Sequence, residues 1–206
     1  MKTLFAPGCA LNKYKPELIS KISRFLLGAS IIDGIYLTCC KAEQTIDEPA
    51  TLITCCPGCS SKFEMLSPNL HILSLWKILL DTDFHFPDYQ RARMSIHDSC
   101  HARHRNSSEM QDSARLLCSK MNIELIEPEY TRDQVRCCGG SACDYETRKR
   151  IASLRAIEFP ENQVVVYCTG CVRSFSVTDV KPRHLLDLLF AEPTENLYPP
   201  KTERRD

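Results

Sequence analysis

Thirteen of the 206 residues are cysteines, and most of them fall into short clusters. Residues 39–59 read CCKAEQTIDEPATLITCCPGC, which places five cysteines in 21 positions. Thiolates bind zinc and iron strongly, and a tight turn with C-x-x-C spacing can aim two sulfurs at one metal centre. In a reducing compartment, clustered cysteines more often hold metal than form disulfides. The clusters therefore predict metal binding.

The cysteines recur in one order in the two halves of the chain: a lone cysteine, an adjacent pair, then a C-x-G-C motif. The first half has Cys9, Cys39, Cys40, Cys56 and Cys59, and the second has Cys100, Cys137, Cys138, Cys168 and Cys171. A phenylalanine follows each C-x-G-C motif at the same distance, at Phe63 and Phe175. This internal repetition predicts two corresponding sites with five cysteines each.

The adjacent pairs favour a centre with several metal atoms. Neighbouring residues of an extended chain point to opposite sides, whereas mononuclear zinc usually takes four ligands from spaced pairs. We expect Gly139 and Gly140, which follow the second pair, to supply unusual dihedral angles and close packing. A redox dithiol is the weaker interpretation of each C-x-x-C, because three further cysteines accompany it.

Three cysteines lie outside the repeat. Cys118 shares a helical apolar spacing with Leu117 and Met121, which predicts a buried thiol. Cys55 aligns with Tyr167 of the second half and, by strand alternation, points away from Cys56. Cys143 follows the second pair, where it would line the pocket of the second site. We expect none of the three to be a ligand.

Two histidines, His97 and His101, bracket Cys100. Either could donate a hydrogen bond to a sulfur, tune a reduction potential or deliver a proton to a thiolate product. The alternative is an ordinary loop histidine. Asp98 suits the capping of a turn or helix as well as proton transfer.

Hydrophobic patterning predicts an α/β fold with largely parallel strands, because short β-rich runs alternate with helical ones. The predicted strands are 3–6, 34–38, 51–54, 71–73, 94–97, 123–126 and 164–167, and the predicted helices are 16–27, 108–121, 145–157 and 184–190. The halves divide near Phe86, which gives repeats at 1–87 and 88–191. Residues 192–206, rich in proline and charge, are predicted to be a polar C-terminal extension.

The composition argues against some classes of function, such as binding to nucleic acid or to membranes. Lys plus Arg and Asp plus Glu balance at 26 each, which gives no general attraction for nucleic acid or anionic membrane. Pro7 and Gly8 break the N-terminal apolar run, and no run approaches the length of a membrane span. We therefore expect a soluble cytoplasmic protein without membrane insertion. The basic run Arg148 to Arg150 is expected to be a solvated helix face or a contact for a redox partner.

The order of a lone cysteine, CCG and C-x-x-C, occurring twice, resembles the cysteine-rich CCG domain family, which includes the B subunit of heterodisulfide reductase. The stretch from His97 to His101 is similar to the H-D-x-C-H found at the start of the second domain in such proteins. The resemblance covers roughly residues 3 to 190. It implies two Rossmann-like α/β halves, related by a pseudo-two-fold internal repeat, each able to hold a non-cubane 4Fe-4S cluster on five cysteines.

Carried over to this chain, the resemblance implies a first cluster on Cys9, Cys39, Cys40, Cys56 and Cys59, and a second on Cys100, Cys137, Cys138, Cys168 and Cys171. The first half departs from the family pattern, because Lys41 replaces the glycine and the step from Cys40 to Cys56 is 16 positions against 30 in the second half. Zinc is therefore an alternative at the first site.

For function, the resemblance implies a thiol-disulfide oxidoreductase, or a subunit of one. It would reduce a small-molecule disulfide, or form it from thiols, at a cluster with electrons exchanged with a flavin or iron-sulfur partner. A non-catalytic electron-transfer module for a partner dehydrogenase is the alternative. A zinc-stapled interaction protein is a third interpretation of the same cysteines.

Overall fold

The computed structural model describes residues 1–40, 46, 48–66, 69–103, 107–142 and 144–196. The first part of the chain forms β1 (Lys2–Ala6), α1 (Cys9–Tyr14), α2 (Pro16–Gly28), β2 (Gly34–Ile35), β3 (Ala50–Thr54), α3 (Pro57–Leu66), β4 (Leu70–Ser74) and α4 (Leu75–Leu80). The second part forms β5 (Ala92–His97), α5 (Ser107–Lys120), β6 (Ile123–Ile126), α6 (Tyr145–Ala156), β7 (Gln163–Val166), α7 (Thr169–Phe175), β8 (Lys181–His184) and α8 (Leu185–Leu189). Short 3₁₀ helices span Cys100–Arg103 and Arg132–Gln134.

The strands form two four-stranded parallel sheets with the same strand order. One sheet has the order β2-β1-β3-β4 and the other β6-β5-β7-β8. In each, the strand that comes first in the chain lies between the second and the third, and all six strand pairings are parallel. This confirms the predicted α/β class and is consistent with two Rossmann-like halves.

Buried central strands hold each sheet together. All five residues of β3 are buried, and so are the three valines Val164 to Val166 of β7. Strands covered on both faces are read as near-continuous apolar runs, which is the pattern of these segments. Helix α2 buries Leu18, Ile22 and Leu26 along one face, as its 3.6-residue spacing predicts.

Several elements differ from the sequence prediction. The strand predicted at 34–38 is only Gly34–Ile35, and Leu37 beyond it is 62% exposed. Helices α1, α3, α4 and α7 and strand β8 were not predicted. They are short, two of them begin inside the C-x-G-C motifs, and β8 reads KPRH, a polar edge strand whose proline is tolerated there.

The chain divides into two compact units. Met1–His85 and His101–Leu117 form the first, while Phe86–Cys100 and the chain from Cys118 onward form the second. Helix α5 therefore begins in the first unit and ends in the second. The segment 101–117 belongs to the second repeat by sequence but is grouped with the first unit.

The start of the C-terminal extension is tied to the second unit. Thr194 Oγ1 accepts a hydrogen bond from the His184 backbone N–H at 2.7 Å and donates one to Asp187 at 2.8 Å. Residues 197–206 of the predicted extension lie outside the described residues.

Among the described residues, no helix combines the length and apolarity needed to cross a membrane.

Candidate metal centre

The ten cysteines of the repeat follow the carboxyl ends of three neighbouring strands in each sheet. The lone cysteines Cys9 and Cys100 come after β1 and β5, and the adjacent pairs come after β2 and β6. The C-x-G-C motifs come directly after β3 and β7. In open parallel sheets, ligands bind outside the carboxyl ends of the strands where the strand order reverses, and that point lies at β1 and β5. The fold therefore brings each set of five cysteines to the edge where such sheets bind ligands.

Each C-x-G-C motif forms the beginning of a helix. Cys168 is the N-cap residue of α7 and Cys171 lies in its first turn, while Cys56 precedes Pro57, the first residue of α3. Residues three apart lie on one side of a helix, so the motif turns both of its thiols to the same side. The Cys171 backbone N–H donates to the Cys168 carbonyl oxygen at 2.9 Å, so the predicted tight turn is the first turn of α7.

In the second unit, the adjacent pair divides between two partners. Cys137 Sγ lies 3.8 Å from Cys100 Sγ, whereas Cys138 Sγ lies 3.3 Å from Cys171 Sγ. The Gly139 backbone N–H donates to Cys137 Sγ at 3.3 Å. The first member of the pair therefore lies beside the lone cysteine and the second beside the C-x-G-C motif, and the two thiols of the pair also interact with each other.

The first unit repeats this division. Cys39 Sγ lies 3.4 Å from Cys9 Sγ, and the Cys40 thiol interacts with Cys59. We call the pairs Cys9/Cys39 and Cys100/Cys137 the outer pairs, and Cys40/Cys59 and Cys138/Cys171 the inner pairs. All four inner cysteines are buried, whereas the outer ones are partly or fully exposed, Cys137 most of all.

The glycines after the second pair have the predicted roles. Gly139 has φ of +78°, and a Cβ there would lie 3.2 Å from the Arg148 carbonyl oxygen. A Cβ on Gly140 would lie 3.2 Å from the carbonyl oxygen of Gly170, within the second C-x-G-C motif. Gly139 therefore allows the loop to pack closely against α6, and Gly140 allows it to pack closely against α7, which carries Cys171.

Burial and neighbouring sulfurs perturb the thiol pKa values. Burial, reinforced by the nearby Cys59 sulfur, raises the pKa of Cys40 to about 12. Hydrogen bonds with Cys138 and Cys168, together with burial, raise the pKa of Cys171 well above its usual range. At neutral pH the Cys40 and Cys171 thiols are therefore protonated, and a metal ion that binds them would displace their protons.

His97 lies among the sulfurs of the second unit. One ring nitrogen of His97 and the Sγ atoms of Cys138 and Cys171 all lie within 4.8 Å of one another. Within the described part of the chain, no other trio of cysteine, histidine or acidic side chains is gathered this closely.

The surroundings of His97 keep its ring neutral. The side chain is 1% exposed and packs edge-on against Phe175, with ring centroids 5.0 Å apart. Burial, and then the charge of Arg155, lower the pKa of His97 to about 3. Arg155 Nε donates to His97 Nδ1 at 3.4 Å, whereas Nε2 is buried without a hydrogen-bond partner in the described residues.

His101 has a different position from His97, although both flank Cys100 in the sequence. It is exposed and belongs to the first unit. Its ring carbons lie 3.7 Å from the place where a Cβ on Gly58 would stand. Of the two histidines predicted to act on the second site, His97 is the one placed beside its inner pair.

Asp98 and Tyr167 form a buried network that holds the second site's strands and loop together. Tyr167 donates to Asp98 Oδ1 at 2.7 Å, and Thr131 Oγ1 and the Arg132 backbone N–H donate to Oδ2 at 2.9 and 2.8 Å. The carboxylate therefore caps the 3₁₀ helix that leads to Cys137. This agrees with the capping role considered for Asp98.

Cys55, the counterpart of Tyr167, makes the counterpart contact in the first unit. Its buried thiol donates to the Pro7 carbonyl oxygen at 3.5 Å, and Pro7 precedes Cys9 by two residues just as Asp98 precedes Cys100.

Cys118 is fully buried, as predicted. Cys143 and Lys41 lie outside the described residues.

Arg155 was not recognised from the sequence. It is 1% exposed, pairs with Glu158, and donates to the Tyr130 carbonyl oxygen at 2.7 Å. Charged residues are rarely buried unless they are paired, and nothing in the pattern of α6 marks this one as an exception. Arg148, expected on a solvated face, is also buried and donates to the Ala142 carbonyl oxygen at 2.7 Å.

The donor set fits a polynuclear thiolate centre better than a mononuclear one. Each site offers five cysteines, one more than tetrahedral zinc takes, and soft sulfur donors select zinc, copper(I) or iron-sulfur groups. Comparison of the chain with protein-family models and with curated proteins finds no match. The site must therefore be interpreted from its own geometry.

Proposed function

We propose that the protein binds two iron-sulfur clusters of the non-cubane 4Fe-4S type and acts as a heterodisulfide-reductase-like thiol-disulfide oxidoreductase, or as a subunit of one. The observation that carries the proposal is the repeated division of the adjacent cysteines between an outer and an inner pair. A mononuclear zinc site takes four ligands and would leave one cysteine of each set unused, whereas a polynuclear centre can bind all five.

The proposed ligands are the five cysteines of each set. The first site would use Cys9, Cys39, Cys40, Cys56 and Cys59, and the second Cys100, Cys137, Cys138, Cys168 and Cys171. Support comes from the identical strand order of the two sheets and from the equivalent positions of the cysteines at their edges. We infer from the same observations that the halves arose as an internal repeat.

The inner cysteines are more buried than the outer ones, and this difference suits a reaction with a small sulfur compound. A cluster held here supplies electrons one at a time and an iron that stabilises a thiolate. The inner pairs hold their sulfurs away from water, while the outer pairs border solvent, where a disulfide can approach. Reduction of one disulfide bond to two thiols consumes two electrons from a flavin or iron-sulfur partner and two protons from water.

The alternative is an electron-transfer module that performs no disulfide chemistry. Buried inner pairs serve a relay equally well. Zinc is the alternative metal at the first site, because Lys41 replaces the glycine of the family pattern there and the step from Cys40 to Cys56 is 16 positions against 30 in the second half.

Anaerobic purification followed by iron, acid-labile sulfide and zinc analysis tests the metal. We expect iron and sulfide in comparable amounts at the second site. Zinc without sulfide at both sites contradicts the proposal and leaves the zinc-stapled interaction protein.

Electron paramagnetic resonance of the oxidised protein, with and without added thiols, then separates the reductase from the relay. A thiol-dependent signal, together with disulfide reduction driven by a chemical reductant, is expected. Iron-sulfur signals that no thiol changes, without disulfide turnover, favour the relay.

A further inference from the structure

The His97 ring lies beside the Cys138 and Cys171 sulfurs, its Nε2 has no hydrogen-bond partner among the described residues, and its Nδ1 is already engaged. Nδ1 accepts a hydrogen bond from Arg155 Nε, and a guanidinium has no acceptor atom. A neutral imidazole carries one proton, so a nitrogen that accepts leaves the proton on the other nitrogen. Nε2 must then be a donor, and a protonated ring nitrogen cannot bind a metal ion.

Arg155 is well fixed for this task. Its guanidinium pairs with Glu158, donates to Tyr130 O and stacks over Phe159, with 4.6 Å to the ring centroid. Phe159 and Phe175 both pack edge-on against the His97 ring and fix its plane. The orientation of the imidazole is therefore fixed by Arg155, Phe159 and Phe175.

We propose that Arg155 is a positioning residue that holds His97 as the Nε2–H tautomer, and that this N–H would donate a hydrogen bond to a sulfur of a cluster held at the Cys138/Cys171 inner pair. His97 is then a tuning residue of the second site and not its sixth ligand. The inference rests on the proposed function for its redox consequence. Hydrogen bonds to cluster sulfurs stabilise the more negative reduced state and raise the reduction potential.

The first unit lacks the corresponding donor. Ala6 ends β1 as His97 ends β5, and it is buried in a cluster with Cys40 and Cys59. A methyl group donates no hydrogen bond to sulfur. Arg155 lies on α6, and the described residues between β2 and β3 contain no helix. The two sites therefore differ in electrostatics, and the second is the one more readily reduced.

The test measures metal content and potential in His97→Ala and His97→Gln, purified anaerobically as the full chain. We expect both variants to keep the wild-type iron and sulfide. In His97→Ala, the equilibrium constant for reduction of the second site should fall about tenfold. This lowers the reduction potential by ~59 mV for a one-electron couple. His97→Gln, whose amide N–H can replace the donor, should recover most of that loss.

His184→Gln is the matched control. Like His97, His184 is a buried histidine at the end of a strand of the same sheet, but its side chain caps α8. Its potential should equal that of the wild type. Loss of iron in His97→Ala, or an unchanged potential, overturns the inference. Absence of iron and sulfide in the wild type instead contradicts the proposed function itself.

The tautomer of His97 can be measured in protein that contains no iron. Nitrogen-15 spectra of the imidazoles in the full chain loaded with zinc, which keeps the protein diamagnetic, should show an unprotonated Nδ1 and a protonated Nε2 at His97. Arg155→Gln should shift this ring toward a mixture of tautomers. A protonated Nδ1, or a zinc-bound Nε2, contradicts the inference whatever metal the protein normally holds.

Discussion

At the scale of single residues, Cys55 shows how a cysteine beside a ligand can have a structural role. Its thiol and the Tyr167 hydroxyl occupy corresponding positions, and each donates to the residue two places before a lone cysteine. Both contacts tie the end of a sheet's third strand to the end of its first. Four of the five cysteines in residues 39–59 remain proposed ligands, and Cys55 belongs to the scaffold.

Substitution of Cys55 and Cys56 separates these roles. Cys55→Ser keeps a donor for the Pro7 carbonyl, so it should retain first-site metal and cost about 1 kcal/mol or less in free energy of unfolding. Cys56→Ser should lose the metal of the first site. Metal analysis of both variants checks this, and equal loss in the two would show that the cysteine register is wrong.

Substitution of Tyr167 tests the buried carboxylate. Tyr167→Phe removes the donor to Asp98 Oδ1 and leaves part of a buried charge unsatisfied, which costs about 1–3 kcal/mol. Urea unfolding at neutral pH measures the loss. Tyr36→Phe, on a side chain that is only half-buried, is the control and should change the unfolding midpoint little.

At the scale of elements, glycines fix how closely the loops approach the helices that carry the C-x-G-C motifs. Gly8 has φ of 84° and ψ of 150°, a conformation that only glycine adopts readily, and it directly precedes Cys9 at the start of α1. A Cβ on Gly8 would lie 2.8 Å from Cys59 Sγ. The loop after β1 therefore depends on this glycine to admit a proposed ligand from α3.

Gly8→Ala should damage the first site specifically. The backbone strain costs about 1–3 kcal/mol, and the methyl group displaces Cys59, so first-site metal should fall while second-site metal stays. Gly28→Ala is the matched control, because a Cβ at Gly28 meets nothing within 4 Å and alanine favours a helix. If Gly8→Ala keeps full metal content, Cys59 is not held where its ligand role requires.

At the scale of the whole molecule, two compact units each carry one set of five cysteines at a sheet edge. Metal that binds the folded chain more tightly than the unfolded chain stabilises the fold by mass action. Many of the proposed ligands are buried next to one another, so their thiolate forms are poorly accommodated without metal. Stability and metal content should therefore change together.

Removal of metal with a chelator should lower the free energy of unfolding by about 4 kcal/mol or more, the amount expected when free metal exceeds its dissociation constant a thousandfold. Urea unfolding of loaded and depleted protein measures the change. Cys138→Ser should bind about half the iron and lose less stability on chelation than the wild type. An unchanged midpoint after complete metal removal would contradict the coupling.

The sequence by itself determined the chemistry and its arrangement along the chain. The repeated order of cysteines predicts two sets of five ligands, and hydrophobic runs such as Leu52 to Thr54 and Val164 to Val166 predict buried parallel strands. These features are local, because spacing and periodicity can be read without knowing which segments meet in space. The identity of the metal and the reaction remain predictions.

Only the tertiary structure decided which side chains meet. The contacts that matter join residues distant in sequence. Cys137 lies beside Cys100, whereas Cys138 lies beside Cys171. His97, and not His101, lies beside the inner pair, with Arg155 buried behind it. Single-sequence patterns carry no information on such contacts, because helix and strand periods describe one element at a time. The strand order, which gathers three loops at one sheet edge, supplies what the motifs alone could not.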